Sequence, residues 1–116
     1  MPFSEVRHIN LKEGMPYVDE AIKRLNDALS KARRDRVDAL ILVHGYGSKG
    51  VGGKIRVGIQ QELRILQQTG HIRAWVAGEK WEEGNRTTDW IIQECPGLED
   101  DPDLGAGNPG MSIVLI

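Results

Sequence analysis

Ala39-Leu40-Ile41-Leu42-Val43-His44-Gly45-Tyr46-Gly47-Ser48-Lys49-Gly50-Val51-Gly52-Gly53-Lys54-Ile55-Arg56 decides how the rest of the chain is read. Its apolar first part has the length and composition of a strand. A histidine ends that run, a loop with five glycines follows, and Ile55 opens a segment of helical period. Glycine lets a backbone take positive φ or approach another chain closely. A loop that opens a helix also presents unpaired N–H groups, which suit an anion. His44 falls at the C-terminal end of the strand, where open α/β sheets tend to place ligands. Lys49, Lys54 and Arg56 add positive charge. The stretch therefore reads as strand, phosphate-facing loop and helix, with a titratable group at the lip of the loop.

Upstream, Val6-Arg7-His8-Ile9-Asn10-Leu11 alternates as a short strand, with Ile9 and Leu11 on one face and His8, Asn10 and Lys12 on the other. Gly14 and Pro16 break the chain before a helix. There Val18, Ala21, Ile22, Leu25, Ala28, Leu29 and Ala32 keep the i, i+3, i+4, i+7 spacing over four turns. Lys31, Arg33, Arg34 and Arg36 crowd the helix end, where cations favour the dipole. Downstream, Ile55, Ile59, Leu63 and Leu66 mark one face of a second helix that Thr69-Gly70 ends. The alternating set Ile72, Ala74 and Val76 predicts a third strand over 71–77, with those three facing the core. Residues 80–86 read as loop, and Thr88 as the cap of a short helix through Glu94, stopped by Pro96-Gly97. Met111-Ser112-Ile113-Val114-Leu115-Ile116 is a last strand, apolar enough to be buried.

The order β-α-β-α-β-(insertion)-β implies parallel pairing of strands joined through helices, with right-handed crossovers. The expected fold is a two-layer α/β sandwich, two main helices on a mixed sheet of about four strands. The 116 residues form a single domain, with 78–107 as an insertion. A composition of 40% hydrophobic and 28% charged residues places the chain among soluble globular proteins rather than disordered or membrane-spanning ones. A formal charge of −2 gives no global attraction to nucleic acid, so such binding must rest on a local basic face. Cys95 alone excludes an intramolecular disulfide and fits a reducing compartment. The start, Met1-Pro2-Phe3-Ser4-Glu5, lacks the basic and apolar regions of a signal peptide, and no apolar run approaches membrane length. A cytoplasmic protein without membrane contact is expected.

Nucleotide motifs fit poorly. Gly53-Lys54 is followed by Ile55, and Ser48 stands where the first glycine of a Walker A loop belongs. Gly45, Gly47 and Gly50 do satisfy Gly-x-Gly-x-x-Gly, but Ala77 occupies the place of the acidic ribose partner. His44 has two readings of equal weight: a residue that closes the loop by hydrogen bonds, or a catalytic or phosphate-contacting imidazole. His8 suits an exposed strand face, and His71 a helix end. No histidine pair has a metal-ligand spacing, and Glu99-Asp100-Asp101-Pro102-Asp103 lacks the EF-hand pattern and reads as a solvated loop. Trp75, Trp81 and Trp90 suit either base stacking or, preferably, a second apolar cluster that holds the insertion down.

The segment Val43-His44-Gly45-Tyr46-Gly47, with Gly53-Lys54-Ile55-Arg56 behind it, resembles the His-Gly-x-Gly segment of the Smr (small MutS-related) domain. Val18-Asp19-Glu20-Ala21 resembles the Val-x-Glu-Ala start of that family's first helix, and Gly110-Met111-Ser112-Ile113-Val114-Leu115 its Gly-Val-Thr-Val-Val-x-Leu strand. The resemblance spans nearly the whole chain except roughly 78–107. It implies a fold similar to the C-terminal domain of translation initiation factor three, and nucleic-acid binding, with DNA nicking or RNA cleavage in several members. The family's first-strand motif, Leu-Asp-x-His-Gly, is altered. Ile9-Asn10-Leu11-Lys12-Glu13-Gly14 has asparagine for the aspartate, lysine for the histidine and one extra residue before the glycine. Lysine holds a phosphate; asparagine is neither a general base nor an anionic metal ligand.

The resemblance thus implies a stand-alone nucleic-acid-binding protein acting on DNA or structured RNA, with weak endonuclease activity as its stronger form. His44 is the candidate catalytic residue. Asn10, Lys12, Gly45, Gly47, Lys49, Gly50, Lys54 and Arg56 are the candidate phosphate contacts. No residue is assigned to a metal, although Mg²⁺ or Mn²⁺ commonly supplies both the activated water and the charge stabilisation for phosphodiester hydrolysis. The alternative is a non-catalytic protein-interaction or regulatory domain, with Trp81 and Trp90 of the insertion on the partner surface. A small-molecule phosphate binder using the same loop is a third option.

Overall fold

The computed structural model describes residues 4–46 and 52–116. Four strands, β1 (Val6–Asn10), β2 (Ala39–Val43), β3 (Ala74–Ala77) and β4 (Met111–Leu115), form one sheet in the order β1-β2-β4-β3. Two long helices, α1 (Val18–Arg34) and α2 (Gly52–Gln68), connect the first three strands. A shorter helix, α3 (Arg86–Glu94), lies in the segment between β3 and β4, the one read from the sequence as an insertion, between two 3₁₀ turns, Gly78–Lys80 and Pro96–Asp100. The expected fold class is present: a mixed four-strand sheet with two main helices.

Pairing of β1 with β2 is parallel, Val6 opposite Ala39 through Asn10 opposite Val43. The strands on either side of α2 are not neighbours. β4 lies between them, antiparallel to both, with Val43 opposite Met111 and Ala77 opposite Ser112. The insertion explains this arrangement, because it leaves the end of β3 and returns the chain to that same edge to start β4. β4 can take the centre because all five of its residues are buried, as a strand covered on both faces requires.

Each face of the sheet has its own core. Leu25, Leu29, Ile55, Ile59 and Leu63 of α1 and α2 pack on Leu40, Leu42 and Val114. On the other face Ile41, Ala74, Val76, Ile113 and Leu115 are covered by Trp81, Ile91 and Leu98 of the insertion. The helical spacings read from the sequence for α1 and α2 match the buried residues. The expectation for 71–77 needs correction. Ile72 belongs to the α1/α2 core, whereas Ala74 and Val76 face the insertion. The strand begins only at Ala74. The preceding residues fold back on α2, where the Leu66 carbonyl accepts from the His71 and Ile72 amides, so alternation does not extend through them. Trp75 consequently faces α2, with the Arg64 guanidinium 5.5 Å from its ring centroid.

In the insertion, Asn85 rather than Thr88 caps α3: its side chain accepts from the Thr88 amide. Thr88 sits in the first turn, and its hydroxyl donates to the Lys80 carbonyl at 2.7 Å. Trp81 is fully buried and its indole N–H donates to Asp101 at 2.9 Å. It therefore pins the insertion down and is not part of a partner surface. Trp90 is 39% exposed, with Arg73 over its ring. At the end of α1, Arg33 donates to the His71 carbonyl, which gives one of the terminal cations a structural use.

The insertion closes tightly where it begins. A Cβ at Gly78 would lie 1.8 Å from the Asn108 carbonyl oxygen and 2.7 Å from that of Met111. Both obstacles are backbone, so neither yields by changing a rotamer. Gly78→Ala should destabilise the fold by about 3 kcal/mol, as overpacking against an unyielding wall does. Urea unfolding monitored by Trp fluorescence checks this; a midpoint equal to that of the parent would show that 78 and 108 are not held together.

Candidate nucleic-acid interface at the strand ends

The C-terminal ends of β1, β2 and β3 and the start of β4 share one edge of the sheet. His44 leaves β2 there, and the amides of His44 and Gly45 both donate to the Gly110 carbonyl at 3.0 Å. Gly45 has φ +76, a conformation that glycine adopts without strain. The His44 ring is fully buried. Its Nδ1 lies 2.7 Å from the Gly45 carbonyl, which can only accept, so this nitrogen carries the proton. Nε2 then accepts from the Ser112 hydroxyl at 2.9 Å. Burial lowers the His44 pKa, the Gly45 carbonyl opposes this, and the charges of Arg56 and Glu79 act down and up respectively.

The candidate residues do not all converge. Asn10 is in phase with Val6 and His8, on the face where Val6 packs into the insertion core. His44 bonds Ser112, which is in phase with Val114 on the α1/α2 face. Asn10 and His44 thus lie on opposite faces of the sheet. The Asn10 side chain instead accepts from the Lys12 amide at 3.0 Å, which shapes the turn after β1. The side chains of Lys12 and Lys54 are exposed and make no ion pair with a described residue. Arg56 is paired with Glu79 at 2.5 Å. Gly47, Lys49 and Gly50 lie outside the described residues.

Chemically, a hydroxyl donating to an imidazole resembles a nucleophile and its base. Here both groups have 0% exposure, so no substrate reaches them as they stand. Among the described residues no three His, Cys, Asp or Glu side chains gather into a metal-binding group. The edge does suit binding of phosphate. The first turn of α2 contains no acidic residue, and Lys54 and Arg56 stand near its positive end, where the dipole disfavours cations. Sequence reading passed over Ser112. The available signal was a lone hydroxyl in an otherwise apolar strand, a group that must find a buried partner.

Loss of that partner should be measurable. Ser112→Ala leaves Nε2 without a donor and should cost about 1–3 kcal/mol of stability. The pH dependence follows from the lowered pKa. Below about 6.5 the unfolded chain binds the His44 proton more readily than the folded one. Stability is therefore full above that value and is lost as pH falls through the window down to the folded pKa. Urea midpoints from about pH 5 to 8 should show this slope, and His44→Gln should flatten it. An unchanged slope in the variant would remove His44 as its source.

No family model matches the sequence, and no curated protein matches it. Among solved structures, the Smr domain of Thermus thermophilus MutS2 is similar to this chain, with a TM-score of 0.56 and 22% sequence identity, over 94% of this chain and 95% of that one. The two share a fold along nearly their whole lengths.

Proposed function

We propose that the chain is an Smr-like cytoplasmic domain that binds nucleic acid, DNA or structured RNA, through phosphates laid across the ends of β1 and β2. The observation that carries this reading is the pair of exposed cations, Lys12 and Lys54, which have no ion pair among the described residues and follow the ends of β1 and β2 in a chain whose net charge is −2. Lys12 and Lys54 supply charge to the phosphates. Gly45, Gly47 and Gly50 let the loop amides approach them, and Lys49 adds charge from the same loop. Arg56, tied to Glu79, supports the start of α2, and Asn10 holds Lys12 in place through its amide. His44 keeps the loop base closed from within.

Support comes from the Smr-like motif around His44 and from the fold shared with an Smr domain. The reading stops short of rapid hydrolysis, because the His44 ring has both nitrogens engaged and Asn10 lies across the sheet from it. No helix among the described residues is long and apolar enough to cross a membrane.

Binding to short DNA duplexes and to structured RNA should weaken steeply with salt, with log K linear in log [salt]. Lys12→Ala and Lys54→Ala should each reduce that slope by about one. Incubation with supercoiled plasmid and structured RNA, with and without Mg²⁺ or Mn²⁺, should leave both essentially intact. Cleavage that His44→Ala abolishes would restore the nuclease reading, and salt-independent binding or none would overturn the phosphate edge.

A further inference from the structure

A second place in the molecule gathers positive charge. Between α2, β3 and the first turns of the insertion lies a cavity of about 460 Å³. Such a volume lies within the range of about 300–1,000 Å³ usual for small-molecule sites. Arg56, Gln60 and Arg64 line it from α2, Trp75 from β3, and Glu79 and Lys80 from the insertion. Three cations face one carboxylate, an excess of two positive charges. Arg56 Nε and Gln60 Nε2 are buried without a hydrogen-bond partner among the described residues. Buried donors left unpaired are costly, and a turn of either side chain into the neighbouring cavity would give it an acceptor. Neither donor is used elsewhere among the described residues: the Arg56–Glu79 bridge engages an outer guanidinium nitrogen and not Nε.

We propose that this cavity binds the terminal phosphate of a nucleotide. A phosphate monoester carries nearly two negative charges at neutral pH, matching the excess, and offers three acceptor oxygens for the unpaired donors. An internal phosphodiester carries only one. The half-buried indole of Trp75, with the Arg64 guanidinium 5.5 Å above its ring, gives a flat cationic platform beside the phosphate for the ring that follows. Glu79 and Lys80 reach the cavity from the segment between β3 and β4. The nucleotide is either free or the phosphorylated end of a strand; only the second source rests on the function proposed above.

The test uses the full chain and isothermal titration with adenosine 5′-monophosphate, adenosine, inorganic phosphate, and short oligonucleotides bearing either a 5′-phosphate or a 5′-hydroxyl. The monophosphate should bind, adenosine should not, and inorganic phosphate should bind more weakly. Gln60→Leu and Lys80→Ala should each weaken the monophosphate by about tenfold, the effect of losing one charged hydrogen bond or ion contact. Gln60→Leu should also raise the unfolding midpoint of the ligand-free protein, because it removes an unpaired buried donor; a purely structural glutamine would lower it. Preference for the 5′-phosphorylated oligonucleotide identifies a strand end, and preference for the mononucleotide identifies a free ligand. Equal binding of adenosine and its monophosphate, no binding of any monoester, or variants that bind like the parent would each overturn the proposal. Oligonucleotides bound regardless of their ends, with salt sensitivity that Lys12 and Lys54 control, would remove this cavity while leaving the strand-end interface. A monophosphate bound without any salt-sensitive strand binding would do the reverse.

Discussion

A hydroxyl inside an apolar strand has to be satisfied without water, and here one ring does it. Ser112 lies in the fully buried centre of the sheet, and its proton goes to His44 Nε2. That bond fixes the ring, the Gly45 carbonyl fixes its tautomer, and the Gly110 carbonyl holds the two amides that lead out of β2. The point where the second strand becomes the glycine loop is therefore tied to β4 and the residue before it by three hydrogen bonds, and a fourth, to the Gly45 carbonyl, orients the imidazole. The exposed lysines beside it are displayed from a rigid base.

Much of this was legible in the sequence. The spacing of Leu25, Leu29, Ile55, Ile59 and Leu63 gave the two long helices and their buried faces, because helical period is a local property. The last strand read as buried from its composition. Less legible was which of two faces each residue serves. Ile72, Ala74 and Val76 share a parity but not a core, since the strand starts after a bend that no pattern announces. His44 likewise invited a chemical role by its position. Its enclosure depends on Ser112, sixty-eight residues later, and on a sheet order that places the fourth strand between the second and third. Such non-local pairings leave only faint traces in a sequence: one serine among aliphatics, and a tryptophan in a segment that otherwise looks like loop.

The altered first strand also makes physical sense. At the place that resembles the Smr motif's aspartate, Asn10 provides a side-chain carbonyl oxygen that accepts from the Lys12 amide. Asparagine performs that task without a charge. What it gives up is acidity, and its position on the sheet face opposite His44 means that the two would not act on one proton in any case.

The sheet order has a consequence for how the molecule is made. β4 is the last of the four strands to be synthesised and the only one that touches both β2 and β3. Until residues 111–115 are made, the parallel pair and the third strand are linked through α2 but share no strand pairing. The insertion has by then emerged, but the strand it is to cover is incomplete. Closure therefore waits for contacts of long sequence separation, which are slow to form. During that interval Ile41 and Val76 lack the cover that the completed sheet gives them, and such exposed apolar chain is prone to wrong association.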